Sequence, residues 1–259
     1  MSTLKILLLL LITGFVFDSP VDGQDRKLMN GTMIITLISN DTIWMGADSR
    51  TSTLTEKGYT VNKEGMCKIY STNDIVYAMA GHVRYVDNSF DFIKIMRGSI
   101  NEYKEFEPSM EQFTLRAKNE IESILTKFSA RSINTLIKKN NGAFLTVVAV
   151  SFVNSEKKVK QIRFSIEAID EKHWRVNYKT AEENGVGTLR FFGHATNASA
   201  FIRDNNLYFG NGKDIPNKIS GLIELESNKG TVTVGMPADV ISIYNGGYKW
   251  SINSGLCQE

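Results

Sequence analysis

The sequence predicts an α+β fold of the αββα kind, a four-layer sandwich in which two antiparallel sheets pack face to face and helix pairs cover them outside. Three observations lead there. β-rich runs cluster at the start, middle and end of the chain. Two helical blocks separate them, and the junctions are short polar turns with no Pro- or Ser-rich linker and no internal repeat. At 259 residues, 42% hydrophobic and 22% charged, the chain can bury a sizeable core without staples.

The first residues stand outside that core. Lys5 precedes an apolar stretch from Ile6 to Phe17, and "DSPVDG" offers Val21 and Gly23 as small residues before a cut, so residues 1–23 read as a secretory signal. About twelve apolar residues fall short of the roughly twenty a spanning helix needs, and no later stretch qualifies, so no stable membrane span is expected. "TMIITLI" (32–38) and "TIWMGA" (42–47) read as strands around a Ser39-Asn40-Asp41 turn. The polar stretch 49–65 then leads to "MCKIYS" and "DIVYAMAG", completing a four-strand meander.

From Val83 to Asn140 the apolar spacing turns helical. "VRYVDNSFDFIKIMRGSI" predicts one helix. Pro108 and Ser109 open a second that runs to Lys139, with Phe113, Ala117, Ile121, Ile124 and Leu125 on its apolar stripe. Strands return in "AFLTVVAVSFV", "VKQIRFSIEAI", "HWRVNYKTA" and "TLRFFG", with turns at Asn154-Ser155 and Asp170-Glu171. Helices near 195–205 and 214–228 follow, and "ADVISIYNGGYKWSI" closes the chain as a hairpin turning at Asn245-Gly246-Gly247.

The formal net charge of +2, from 30 basic and 28 acidic residues, argues against nucleic acid as a partner. Cys67 and Cys257 form no CxxC pair and fit a secreted protein in which one disulfide is allowed and none required. Sequons begin at Asn30, Asn40 and Asn197, the last two being the candidate glycan acceptors. A sugar on Asn30 would crowd any cut just after it. His82, His173 and His194 are scattered and give no metal-ligand spacing, so neither a metal nor a cofactor is expected.

One constellation can do chemistry. A threonine hydroxyl is a poor nucleophile unless a base takes its proton, and the free amine of the same residue at a chain terminus is one such base, with an ordinary pKa of about 7.7–8.0. Thr32 acquires that amine only when Gly31-Thr32 is cut, and Gly31 leaves the backbone free for the strained approach this needs. With the turn at residues 40 and 41, residue 32 faces 48 or 49, which brings Asp48 to Thr32. An aspartate there holds a lysine charged, and the lysine lowers the pKa of the threonine hydroxyl and amine; Lys68 is the candidate.

Gly31 through "GADSR", the later "CKIYSTNDIVYAMAG" and the order of elements resemble the β-subunits of the proteasome and the related bacterial HslV peptidase, N-terminal nucleophile hydrolases. The element order agrees over nearly the whole chain, and the specific motifs lie within residues 31–81. The resemblance implies processing at Gly31, a short propeptide over residues 24–31, a domain over 32–259, and Thr32, Asp48 and Lys68 as the catalytic set. Ser49 and Arg50 follow the aspartate as in the family, and Gly81 inherits the oxyanion N–H. Lys68 precedes Gly81 by a spacing one residue shorter than the family's, which keeps Lys63 as a rival.

The resemblance also implies a substrate strand added between Thr51-Ser52 and Ala80-Gly81, with Met79 and Val83 lining an apolar pocket. His194, in Gly193-His194-Ala195, stands where many members carry the serine of a Gly-Ser-Gly. The family's second supporting aspartate has no clear match, Glu226 and Asn228 being nearest, and the signal departs from a family assembled in the cytosol. The implied activity is a threonine-type endopeptidase acting on a polypeptide substrate without a cofactor, in a homo- or hetero-oligomer, secreted or in the secretory lumen. An inactive relative kept for binding or assembly, and an amidase for small amides, are the alternatives the sequence leaves open.

Overall fold

A computed structural model of the chain describes residues 28–30, 32–55, 58–63, 65–85, 90–183, 185–205, 209, 214–231 and 233–257. The expected signal, and residues 24–27 and Gly31 of the expected propeptide, lie outside the described residues. The elements are β1 (Leu28–Asn30), β2 (Met33–Ile38), β3 (Thr42–Asp48), β4 (Thr51–Thr55), β5 (Gly58–Lys63), β6 (Ile69–Thr72), β7 (Ile75–Gly81) and β8 (Arg84–Tyr85). Helices α1 (Phe92–Tyr103), α2 (Phe106–Leu125) and α3 (Ala130–Asn140) come next. Then follow β9 (Ala143–Val153), β10 (Glu156–Ala168), β11 (Trp174–Glu182), β12 (Leu189–Gly193), α4 (Thr196–Asn205), α5 (Ile215–Asn228), β13 (Ala238–Tyr244) and β14 (Gly247–Ile252).

The described residues form an α+β protein with five helices and two five-strand antiparallel sheets, ordered β12-β2-β3-β13-β14 and β11-β10-β9-β7-β6. A third sheet of four short strands runs β5-β4-β1-β8. The apolar side chains gather in three clusters. Ile34, Ile38 and Met45 of the first sheet meet Val76, Ala78 and Val148 of the second. The alternate residues of β2, Met33, Ile35 and Leu37, meet Ile219, Leu222 and Ile223 of α5. Tyr77, Met79 and Phe164 of the second sheet pack instead with Phe92, Met96 and Phe113 of α1 and α2. Side chains of each large sheet thus pack with helices in one cluster and with the other sheet in another, which is why β2 is buried along its whole length, Thr36 included, and β7 along nearly all of its own. Each fully buried Ile or Phe contributes roughly 1.5–3 kcal/mol.

The β2–β3 turn closes through Ser39, whose N–H and hydroxyl both donate to the Thr42 carbonyl, at 2.9 and 2.7 Å. Four sequence expectations need correction. The expected four-strand meander is split between sheets, β2 and β3 in the first and β6 and β7 in the second. The polar stretch after Asp48 is a hairpin, β4 with β5; its sequence, rich in Ser, Thr and charged residues, offers no apolar run to betray it. The first helix begins at Phe92, not near Val83, because the Asp91 carboxylate caps it by accepting from Ile93 and Lys94 N–H at 2.9 and 3.2 Å.

The second helix is two. It starts at Phe106, with Pro108 in the first turn where a missing N–H costs nothing, and stops at Leu125; Ser129 then caps α3 by accepting from the Ser132 N–H at 3.2 Å. Cys67 and Cys257, left open by the sequence, are joined across a separation of 190 residues. Such a link removes about 5 kcal/mol worth of unfolded-chain entropy in the loop-closure description and fits an oxidising compartment. Among the described residues no helix is long and apolar enough to cross a membrane.

Phe113 is fully buried and meets the Phe164 ring edge-on, centroids 6.3 Å apart. Phe113→Ala is expected to lower the unfolding free energy by about 3–5 kcal/mol, read from the urea midpoint at unchanged slope.

Candidate active site

The β2–β3 register, with Ile34 opposite Ala47, carries on so that the Met33 N–H donates to Asp48 Oδ1 at 2.8 Å. Thr32, just ahead of β2, is buried, as is Asp48 at the end of β3. The Asp48 carboxylate is the hub of the region. Arg50 N–H and Gly235 N–H each donate to Oδ2 at 3.1 Å, and Lys68 Nζ lies 3.0 and 3.1 Å from the two oxygens. Lys68 Nζ also donates to the Arg50 carbonyl. Lys63 is in β5, opposite Thr51; Lys68 is the lysine that reaches Asp48. Burial pushes the Lys68 pKa below the ordinary lysine value, and Asp48 offsets part of that push.

Thr32, Thr51, Lys68, Met79, Gly81 and Val83 line one cavity, six of the residues singled out in the sequence. Ser49, Ser52 and Arg50 do not line it. Ser49 is fully buried, links the Gly235 carbonyl to the Met66 N–H through its backbone at 3.1 Å each, and its hydroxyl has no partner among the described residues. The Arg50 guanidinium packs on Gly235, where an added Cβ would come within 2.3 Å of Nε. Gly81 has φ of +100°, and a Cβ there would fall 2.3 Å from the Phe144 carbonyl oxygen, so only glycine lets β7 pair with β9 at this end.

His194 is brought to Thr32 through the backbone, its N–H donating to the Thr32 carbonyl at 3.2 Å, while Nδ1 is 2.9 Å from the Thr233 hydroxyl. Desolvation lowers its pKa, against the opposing pull of Glu226 and Asp48. Its neighbour Gly193 has φ of +79°, and a Cβ on it would overlap the Thr32 carbonyl oxygen at 1.9 Å. Sequence reasoning named Gly193 only as part of Gly193-His194-Ala195, without a role of its own, and passed over Thr233 and Gly235. The signal it had was the positive-φ tolerance of glycine beside a sheet edge, and nothing in the local pattern said which strand would come near.

Glu226 is engaged at the start of α4. It accepts from Asn197 and Ala198 N–H at 2.8 and 3.0 Å, capping α4, and from the Asn197 amide and the Thr231 hydroxyl at 3.0 and 2.7 Å. The Asn197 side chain is therefore already engaged, whereas Asn40 is exposed at its turn.

No local pattern announces the strand ahead of Thr32. β1 lies between β4 and β8, with Asn30 opposite Ser52, Met29 opposite Thr53 and Arg84, and Leu28 opposite Leu54 and Tyr85. One of its neighbours is the expected Thr51-Ser52 segment. The other is Arg84–Tyr85. Ala80 and Gly81 pair with β9 along one edge of β7, and the 2.8 Å bond from the His82 N–H to the Phe144 carbonyl leaves the Gly81 N–H on the opposite edge. Neither a scan against protein-family models nor a search of the curated proteins finds a match for this chain.

Two measurements follow from this geometry. Asp48→Ala leaves the Lys68 cation buried without its counter-charge and is expected to cost about 3–5 kcal/mol, whereas Asp48→Ala with Lys68→Met recovers part of the loss; urea unfolding of the three proteins reads the difference. His82, next to Gly81, is fully buried against Phe144 with Nε2 3.1 Å from the Asn140 amide, and burial lowers its pKa to about 3. Unfolding lets it bind a proton at the ordinary value near 6.5, so stability falls as pH drops from about 6.5 toward 3, by up to about 1.4 kcal/mol per pH unit. His82→Asn should flatten that slope in pH-dependent urea unfolding.

Proposed function

We propose that this chain is a threonine-type endopeptidase of the N-terminal nucleophile class, a secreted αββα sandwich that frees Thr32 by cutting Gly31-Thr32 itself. The observation that carries the reading is the shared cavity of Thr32, Lys68 and Gly81, with Asp48 gripping Lys68 and the backbone on either side of it. Three kinds of group needed for acyl transfer thus meet at one place: a hydroxyl, a cation with a lowered pKa, and a glycine at a strand end.

In this reading the Thr32 hydroxyl oxygen attacks the scissile carbonyl carbon while its own amine takes the proton. Lys68, oriented by Asp48, favours the deprotonated oxygen, and the Gly81 N–H receives the developing oxyanion. The amine then hands the proton to the departing peptide nitrogen, leaving an ester that water hydrolyses. An extended substrate takes the place that β1 holds between β4 and β8, bound by main-chain hydrogen bonds, and Met79 and Val83 offer it an apolar wall. The disulfide and the apolar first segment support a secretory location.

The test is hydrolysis of internally quenched peptides. The wild-type protein is expected to cleave them, Thr32→Ala to show no turnover, and Thr32→Ser to retain part of it. Lys68→Ala should lose on the order of a hundredfold or more in kcat/KM, and the alkaline limb of the wild-type profile should fall below the ordinary lysine range. Turnover that survives Thr32→Ala would sink the assignment, and a wild-type protein inert to every peptide favours the binding or assembly alternative.

A further inference from the structure

We infer that the Cys67–Cys257 disulfide is the positioning element of this site: it holds the segment 65–68 so that Lys68 stays on Asp48, and its reduction withdraws Lys68. This rests on the proposed function only for its effect on turnover.

The ion pair joins two sheets. Asp48 ends β3 in one, while Lys68 immediately precedes β6, the edge strand of the other. Residues 65–68 have no strand pairing of their own. The segment is tied by the Met66 N–H to the Ser49 carbonyl at 3.1 Å and by the Tyr70 hydroxyl to the Cys67 carbonyl at 2.8 Å. The covalent tie is Cys67, adjacent to Lys68 and itself lining the cavity.

The other end of the bridge is well founded. Cys257 is buried, and Ser254 donates its N–H and hydroxyl to Asp239 Oδ1 at 2.7 and 2.8 Å. Asp239 is buried on β13 directly opposite Ala47, the residue before Asp48. Leu256 covers Gly65, where an added Cβ would meet it at 3.3 Å. The tail after β14 is therefore fixed to the Asp48 side of the site, and the disulfide clamps the Lys68 side onto it. Once that clamp is gone the segment, which has no ladder bonds, is held by single backbone contacts and by the ion pair, and local opening becomes the cheaper route to exposing Lys68.

Reduction is chemically accessible. Cys67 lines the cavity and Cys257 is buried, so a thiolate of a small dithiol attacks the Cys67 sulfur; the S–S bond breaks and Cys257 leaves as thiolate and takes a proton. The second thiol of the reagent attacks the mixed disulfide, releasing the Cys67 thiol and a cyclic disulfide. Two electrons pass to the protein, and the dithiol is oxidised.

The experiment compares the folded oxidised protein, the same protein after dithiothreitol with both thiols verified by mass, and Cys67→Ser/Cys257→Ser. Each is pulsed with acetic anhydride and mapped by mass spectrometry, Lys160 serving as reference. Opening of the segment is expected to raise Lys68 acetylation by about tenfold or more relative to Lys160 while far-UV circular dichroism is retained. Peptide turnover should fall in parallel, and restoring the disulfide should return both. If the double variant does not fold, reduction of the folded wild type is decisive alone. Lys68 protection unchanged after verified reduction overturns the inference. Lys68 exposure that rises in a protein showing no turnover in its oxidised form upholds the clamp and counts against the peptidase reading instead.

Discussion

The ion pair between Asp48 and Lys68 is the constraint on which the rest of the site depends. Burying a carboxylate and an ammonium is costly unless geometry and further hydrogen bonds compensate, and here three backbone N–H groups, from β2, from Arg50 between β3 and β4, and from the loop before β13, donate to the carboxylate. The compensation has a structural consequence. Residues far apart in sequence are drawn to one carboxylate, and Thr32 is carried there with Met33.

Close packing around that hub is what the glycines serve. Gly193 lets β12 pass against the Thr32 carbonyl, Gly235 makes room for the Arg50 guanidinium, and Gly81 lets β7 meet β9 at the cavity wall. A side chain at Gly81 or Gly193 would meet backbone, a cost that rotating a flexible group does not relieve, whereas at Gly235 it would meet the Arg50 side chain. The segment bearing Lys68 lies outside the strand ladders, and the disulfide ties it to the tail.

Much of this was legible in the sequence because it rests on short-range rules. A two-strand register around Asn40-Asp41 is enough to put Asp48 beside Thr32, and apolar runs with polar turns are enough to separate strands from helices. What escaped has a common cause. The β4–β5 hairpin offers no apolar run, the break at 126–129 interrupts helical spacing without a proline, and Asp91 overrides the apolar spacing ahead of it. The roles of Thr233, Gly235 and β1 depend on long-range approach, which no local pattern encodes.

The central claim is that Thr32 becomes a chain terminus beside Lys68. It is tested most directly by the amino terminus of the folded protein secreted from a eukaryotic host, read by intact mass and by N-terminal sequencing. The account predicts that the wild type begins at Thr32 and that Thr32→Ala, equally folded, keeps the residues before it. A wild-type protein that still begins at Gln24 after folding would contradict the account.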